Sequence, residues 1–310
     1  MFSFEEETMV THFQGQQAVA ISDANSKVVV APQYGARLLT WEIAGDKVLF
    51  WPEETDWSSP QSVAHVRGGN PILFPFLARH YVDGELGKWR DKDGIVRSLP
   101  MHGFARELPF EIVEHGERVL RMRLQSSPQT HRMYPFGWIF DVVYEIEEST
   151  LRCTLETENI GTEAMPYYPG HHFYFAIDHT QRNDWTIELP CKTWGGMANG
   201  IPVLENAKNT QTTLDDPKLI DRFHLDFTEP RISLTNRELA REIGICWEQE
   251  YSSLWEDVTT WTQSADSDFF CVEPWLGLPN AIHHGQGLRW LEPGQKEIAV
   301  CSIKADGFGR

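Results

Sequence analysis

Positive charge is scarce in this chain. Its 310 residues carry 27 Lys and Arg against 45 Asp and Glu, a formal net charge of -18. A nucleic-acid binder replaces condensed counterions with a basic stripe. None is present, so nucleic acid is set aside as a partner, and anionic membrane lipids would be repelled for the same reason. Cysteine is sparse as well. Cys153, Cys191, Cys246, Cys271 and Cys301 are odd in number, lie far apart and include no CxxC or zinc-finger spacing. Free thiols in a reducing compartment follow. No apolar run approaches the roughly 20 residues of a membrane span. The opening "MFSFEEETMVTHFQG" lacks the basic and apolar regions of a secretory signal. A cytoplasmic location is therefore expected. Long helical periodicity is also missing; a short helix within "EQEYSSLWEDVTTWTQ" is the main candidate, though those residues fit a strand equally.

Alternation is what the chain has in quantity. In "FDVVYEIEE", Phe140, Val142, Tyr144 and Ile146 share one face, and Asp141, Glu145 and Glu147 share the other, with Val143 the exception. "LRCTLETEN" and "RVLRMRLQS" repeat the pattern, which is that of half-buried strands. Further strands are expected at "KVVVAP", "RLLTWEIAG", "WTIELP", "RISLTN", "FFCVEPW" and "KEIAVCSI". Many short strands separated by turn residues predict an all-β fold, a large antiparallel β-sandwich. No linker or composition break divides it, so residues 1–310 are expected to form one domain. The 12 Trp, 17 Phe and 8 Tyr supply core, and suit flat apolar ligands such as sugar faces.

Four stretches stand apart from ordinary strands. "RGGNPILFPFLAR" frames an apolar segment between Arg67 and Arg79; a buried edge strand with solvated arginines is its plain structural role. "LPMHGFARELPF" places His102 before Gly103, where the backbone can bend and present an imidazole. "YYPGHHFYFAID" holds His171 and His172 side by side. Adjacent side chains on a strand point to opposite faces, so the pair does not enter one site together, which argues against a two-histidine metal centre. "FFCVEPWLGLPNA" puts Glu273 inside an apolar run. A carboxylate there is costly to bury unless it is paired or used, and desolvation raises its pKa. The alternative is the solvent face of an edge strand, which Pro274 would permit.

Taken in order, "RGGNPILFP", "MHGFAR", "YYPGHHFYF", "CVEPWLGLP" and "LRWLEPGQKEIAVCSI" resemble the aldose 1-epimerase (galactose mutarotase-like) family, from about Val19 to Ile303. The resemblance implies a galactose mutarotase-type sandwich whose open face holds a monosaccharide, with no metal and no organic cofactor. It implies Glu273 as catalytic base. It implies His172 as acid, because His172-Phe173-Tyr174-Phe175 meets the family's H-x-Y-F spacing, leaving His171 as a packing residue. His102 then binds at the ring-oxygen side and Arg79 contacts sugar hydroxyls. Two departures matter. Phe173 stands where many relatives have proline after the working histidine, and the sugar-binding aspartate falls to Asp221 or Asp226 of "LIDRFHLDF", with Asp221 preferred.

Interconverting α and β anomers requires opening a hemiacetal. A base removes the proton of the hydroxyl on carbon 1, an acid protonates the ring oxygen, and the ring recloses with the roles reversed. Each positioned transfer is worth about 10²–10⁴-fold. A desolvated glutamate and a protonated imidazole are the expected pair at neutral pH, with Trp275 and Tyr174 available to stack on the sugar. Two substrates remain in play: a free or unusual aldose, which is preferred, or a hexose 6-phosphate in a pocket of Arg67, Lys88, Arg90 and Arg97. Because Asp91 and Asp93 lie in the same stretch, a solvated mixed-charge loop is the plainer reading of Lys88 to Arg97. A carbohydrate-binding protein without turnover is the competing class.

Overall fold

The structure is a computed structural model describing residues 10–248 and 254–309. It is antiparallel and strand-dominated, as the alternation predicts. A nine-stranded sheet and an eight-stranded sheet are its largest units, joined by a five-stranded sheet near the N-terminus. The stretches read as strands are strands: Ser26–Ala31, Arg37–Ile43, Val119–Gln125, Trp138–Glu147, Thr150–Asn159, Trp185–Glu188, Arg231–Asn236, Phe269–Trp275 and Lys296–Asp306. The helix considered at "EQEYSSLWEDVTTWTQ" does not survive where it can be followed: Asp257–Trp261 is a strand, while residues 249–253 lie outside the described residues. Among the described residues no helix is long and apolar enough to cross a membrane.

One core lies between the two large sheets. Leu120, Met122, Phe140, Tyr144, Leu151 and Leu155 reach it from the nine-stranded sheet, and Ile72, Phe173, Phe175, Phe270 and Val272 from the eight-stranded sheet. Packing of two inner faces in this way defines a sandwich. The opposite face of "FDVVYEIEE" is less solvated than its charges suggest. Asp141 is buried beneath Arg121 at 3.0 Å and Arg123 at 2.8 Å, so guanidinium groups, not water, neutralise it.

Alternation within the eight-stranded sheet creates a second, outward layer. Phe270 and Val272 point to the core, whereas Phe269 and Cys271 join Tyr174 in a separate apolar cluster flanked by Phe50 and Trp261. Glu273 has the parity of that outward set. "FFCVEPW" is therefore no edge strand. It runs between the histidine strand and Asp257–Trp261, with Phe173 opposite Val272 and Thr259 opposite Glu273. Ile72–Leu73 occupies the sheet edge, as the plain reading of "RGGNPILFPFLAR" expects.

Candidate active site

A cleft of about 1180 Å³ opens on the outward face of the eight-stranded sheet. Arg67, Arg79, His102, His172, Asp221, Glu273 and Trp275 all line it. The seven residues singled out from sequence are thus brought together.

The floor carries the histidine and the glutamate. His172 Nε2 lies 3.4 Å from Glu273 Oε2, with only 10 % and 2 % of the side chains exposed. Neither Glu273 Oε2 nor His172 Nδ1 has a hydrogen-bond partner among the described residues. Buried polar atoms left open in this way are unusual in a folded core and mark a place where a ligand can bind. The His172 ring is fixed by aromatic contact. It stacks on Tyr174 with centroids 4.6 Å apart and planes 3° from parallel, and the edge of Trp261 approaches at 6.0 Å. His171 turns the other way, stacking on Phe173 and Trp255 in the core. The strand argument for splitting the pair holds, and H-x-Y-F parity selects the histidine that faces the cleft.

His102 enters from the bend. It has φ +67°, and Gly103 beside it has φ +73°. A Cβ on Gly103 would lie 2.0 Å from the Phe74 carbonyl oxygen, so only glycine lets the two segments pass. The bend is tied to "FPFLAR" twice: His102 N–H donates to Ala78 O at 2.9 Å, and Ala78 N–H donates to His102 Nδ1 at 3.1 Å. Because Nδ1 accepts, the ring proton sits on Nε2. The same tie sets Arg79 beside His102, whose ring lies 5.6 Å from that of His172.

Asp221 lines the cleft. Asp226 instead accepts from the Thr193 hydroxyl at 2.5 Å and is absent from the lining. Trp275 is largely core: it is buried, and its Nε1 donates to His171 O at 3.2 Å. Its ring lies so close to Gly170 that a Cβ there would meet Cδ1 at 2.6 Å. The basic set proposed for phosphate is not assembled. Arg67 reaches the cleft, but Lys88, Arg90 and Arg97 sit on the Lys88–Arg90 and Val96–Ser98 hairpin. There they bind Ser98, Asp83 and Asp91. Local pairing within this hairpin and with the neighbouring Asp83 satisfies them, as the mixed-charge loop reading expects.

Cationic residues outside that set also line the cleft. Arg106, from the same "HGFAR", lines the cleft and is buried; its guanidinium donates to Ala64 O and Met101 O, with no carboxylate partner among the described residues. Arg67 lies over Trp261 at 5.1 Å. Neither Arg67 nor Arg79 makes an ion pair among the described residues. The one available signal for Arg106 was its position four residues after His102.

Burial dominates the electrostatics. It pushes the Glu273 carboxyl well above its ordinary value, and the charges of Asp221 and Asp257 add to this. Burial also holds His172 well below its ordinary value, helped by Arg37, Arg106 and Arg67. His102 is lowered by burial and then by Arg106. The protonated imidazole expected from sequence is therefore not what burial favours at His172. The reason is that desolvation opposes the charged form of both partners. Cys271 stands close enough for His172, Cys271 and Glu273 to offer three ligand atoms within 4.8 Å. Burial and Glu273 raise that thiol, which disfavours the thiolate that a metal needs.

A two-sheet sandwich with a buried histidine–glutamate pair at the floor of an open cleft is the arrangement that the known relatives can be compared with. The sequence pattern of the aldose 1-epimerase family matches residues 17–304, and the chain belongs to that family. Among curated proteins, Protein LacX of Lactococcus lactis subsp. lactis is 23% identical over 230 residues, covering 70% of this chain and 77% of LacX. Among solved structures, Slr1438 from Synechocystis sp. PCC 6803 superposes with a TM-score of 0.80 at 24% identity, covering 93% of this chain and 95% of that one. A galactose mutarotase related enzyme from Lactobacillus acidophilus gives 0.79 at 20% identity, covering 93% and 97%. These two structures share the fold.

Proposed function

We propose that the chain is a cofactor-independent isomerase that interconverts the α and β anomers of an aldohexose or a related sugar. The observation that carries this reading is the open pair at the cleft floor, His172 Nε2 facing Glu273 Oε2 at 3.4 Å with no other partner on that oxygen. Ring opening moves one proton off the hydroxyl on carbon 1 and one onto the ring oxygen. Both oxygens are bonded to carbon 1, so two groups this close can serve both. In the opening direction Glu273 is the base and His172 the acid. Their direct approach provides the line along which the shared proton reaches the imidazole, where attraction between carboxylate and imidazolium opposes the cost of burial. On closing, the roles reverse.

The remaining lining residues bind. His102 donates from Nε2 near the ring oxygen, Arg79 and Asp221 hold hydroxyls, and Trp275 with Trp261 forms the apolar wall. A second reading, a hexose 6-phosphate as substrate, is favoured by one observation: Arg67 and Arg79 line the cleft without ion-pair partners among the described residues, in a protein of net charge -18. Cationic groups of this kind suit phosphate oxygens.

Polarimetry on fresh α-glucose, α-galactose and α-glucose 6-phosphate tests both. Acceleration over spontaneous mutarotation is expected, and the sugar with the highest kcat/KM identifies the substrate class. Sugar binding without acceleration on any of them would instead identify a binding protein of this fold.

A further inference from the structure

The cleft floor depends on one amide outside it. Asn70 is fully buried. His172 falls between two short strands, Gly170–His171 and Phe173–Ala176. Gly170 and His171 pair with Leu73 and Ile72, and Phe173 resumes pairing with Val272. The His172 N–H lies at this break, and Asn70 Oδ1 accepts it at 2.8 Å. A backbone N–H only donates, so the orientation of the Asn70 amide is fixed. Its Nδ2 then faces His171 Nδ1 at 3.0 Å and the Tyr144 hydroxyl at 3.2 Å. An amide NH₂ also only donates, which makes His171 Nδ1 an acceptor and puts that ring's proton on Nε2.

We propose that Asn70 is a positioning residue for His172: its single amide sends His171 into the core in a fixed tautomer and pins the His172 backbone opposite Glu273. This rests on the role proposed above for His172. Loss of the acceptor leaves a buried N–H unpaired at the point that sets the imidazole's reach. A misplacement of about 1 Å at such a point costs roughly 10²-fold in rate. Aspartate at position 70 keeps an acceptor for His172 and loses the donor to His171.

The test compares Asn70→Ala and Asn70→Asp with the wild type, by polarimetric kcat and KM and by ¹⁵N NMR of the imidazoles. Asn70→Ala is expected to lose ~10–100-fold in kcat with KM changed by less than about three-fold. Asn70→Asp is expected to recover most of that kcat while the His171 proton moves from Nε2 to Nδ1. An Asn70→Ala kcat within about two-fold of wild type overturns the proposal. So does an Asn70→Asp variant as slow as Asn70→Ala, or a His171 proton on Nδ1 in the wild type. Should Asn70→Ala not fold, the Asn70→Asp rate and the two tautomers decide. Absence of turnover in the wild type refutes the functional reading instead, and the NMR arm then decides on Asn70: Nε2–H in the wild type with a switch in Asn70→Asp supports it, and any other pattern overturns it.

Discussion

His172 and Glu273 meet at 3.4 Å although they come from distant parts of the chain, His172 from a break between two short strands and Glu273 from Phe269–Trp275, and burial disfavours the charged form of each. In the proposed reaction the pair shares one proton, and the pH dependence follows from that. The form with one proton between them is then the working form. It gives way to the doubly protonated form as pH falls through the lowered imidazole value, below 6.5. It gives way to the unprotonated form as pH rises through the raised carboxyl value, above 4.5. Both limbs of the kcat profile belong to the pair. The expected acid limb lies below pH 6.5, and an acid limb at or above 6.5 contradicts the shared-proton account.

Burying this carboxyl has a cost in stability. A group whose pKa rises on folding keeps its proton where the unfolded chain has lost it. Its contribution is complete below the unfolded value near 4.5 and is lost as pH rises through the folded value. Glu273→Gln removes that loss. Calorimetry at pH 7 should show the variant melting roughly 2 °C or more above wild type, with the difference shrinking toward pH 4. A Glu273→Gln protein that melts below wild type at pH 7 shows that the carboxyl is stabilised by contacts other than those described.

The two substrates separate at Arg67. It lies over Trp261 beside the cleft and makes no ion pair among the described residues. If the sugar is phosphorylated, Arg67→Ala should raise KM for the phosphorylated hexose by about 10-fold, the size of one charge-assisted hydrogen bond. KM for the free hexose should change far less. Equal effects on both sugars would assign Arg67 to hydroxyl contacts.

Gly103→Ala should destabilise the protein by more than about 1 kcal/mol, read by urea unfolding. The added methyl group would press on the Phe74 carbonyl, and the φ of +73° is unsuited to alanine. Activity should fall with it, because the same bend carries His102. An alanine variant of wild-type stability would show that the two segments can separate freely.

Much of the fold was legible because it rests on period two, and much of the site because its ordered motifs resemble a known family. Alternation located the strands, parity split His171 from His172, and an isolated carboxylate among Phe, Cys, Val and Trp marked Glu273. What stayed hidden depends on contacts between distant segments. The choice between Asp221 and Asp226 turns on the Thr193 hydroxyl. The acidic residues among Lys88, Arg90 and Arg97 already favoured a mixed-charge loop over a phosphate pocket, but the pairing of Arg90 with Asp83, outside that hairpin, was not readable. Asn70 carried no mark in the sequence, since what singles it out is its contact with His171, His172 and Tyr144. The neutral imidazole was missed because buried arginines as well as burial lower His172, and Arg37 and Arg106 carry no sequence mark of facing it.

The most direct measurement is polarimetry of fresh α-sugar with Glu273→Gln and His172→Asn, alongside thermal melts to show that both fold. The account predicts that each variant loses roughly 10²–10⁴-fold in kcat while remaining folded. Either variant, folded and turning over at the wild-type rate, would contradict it.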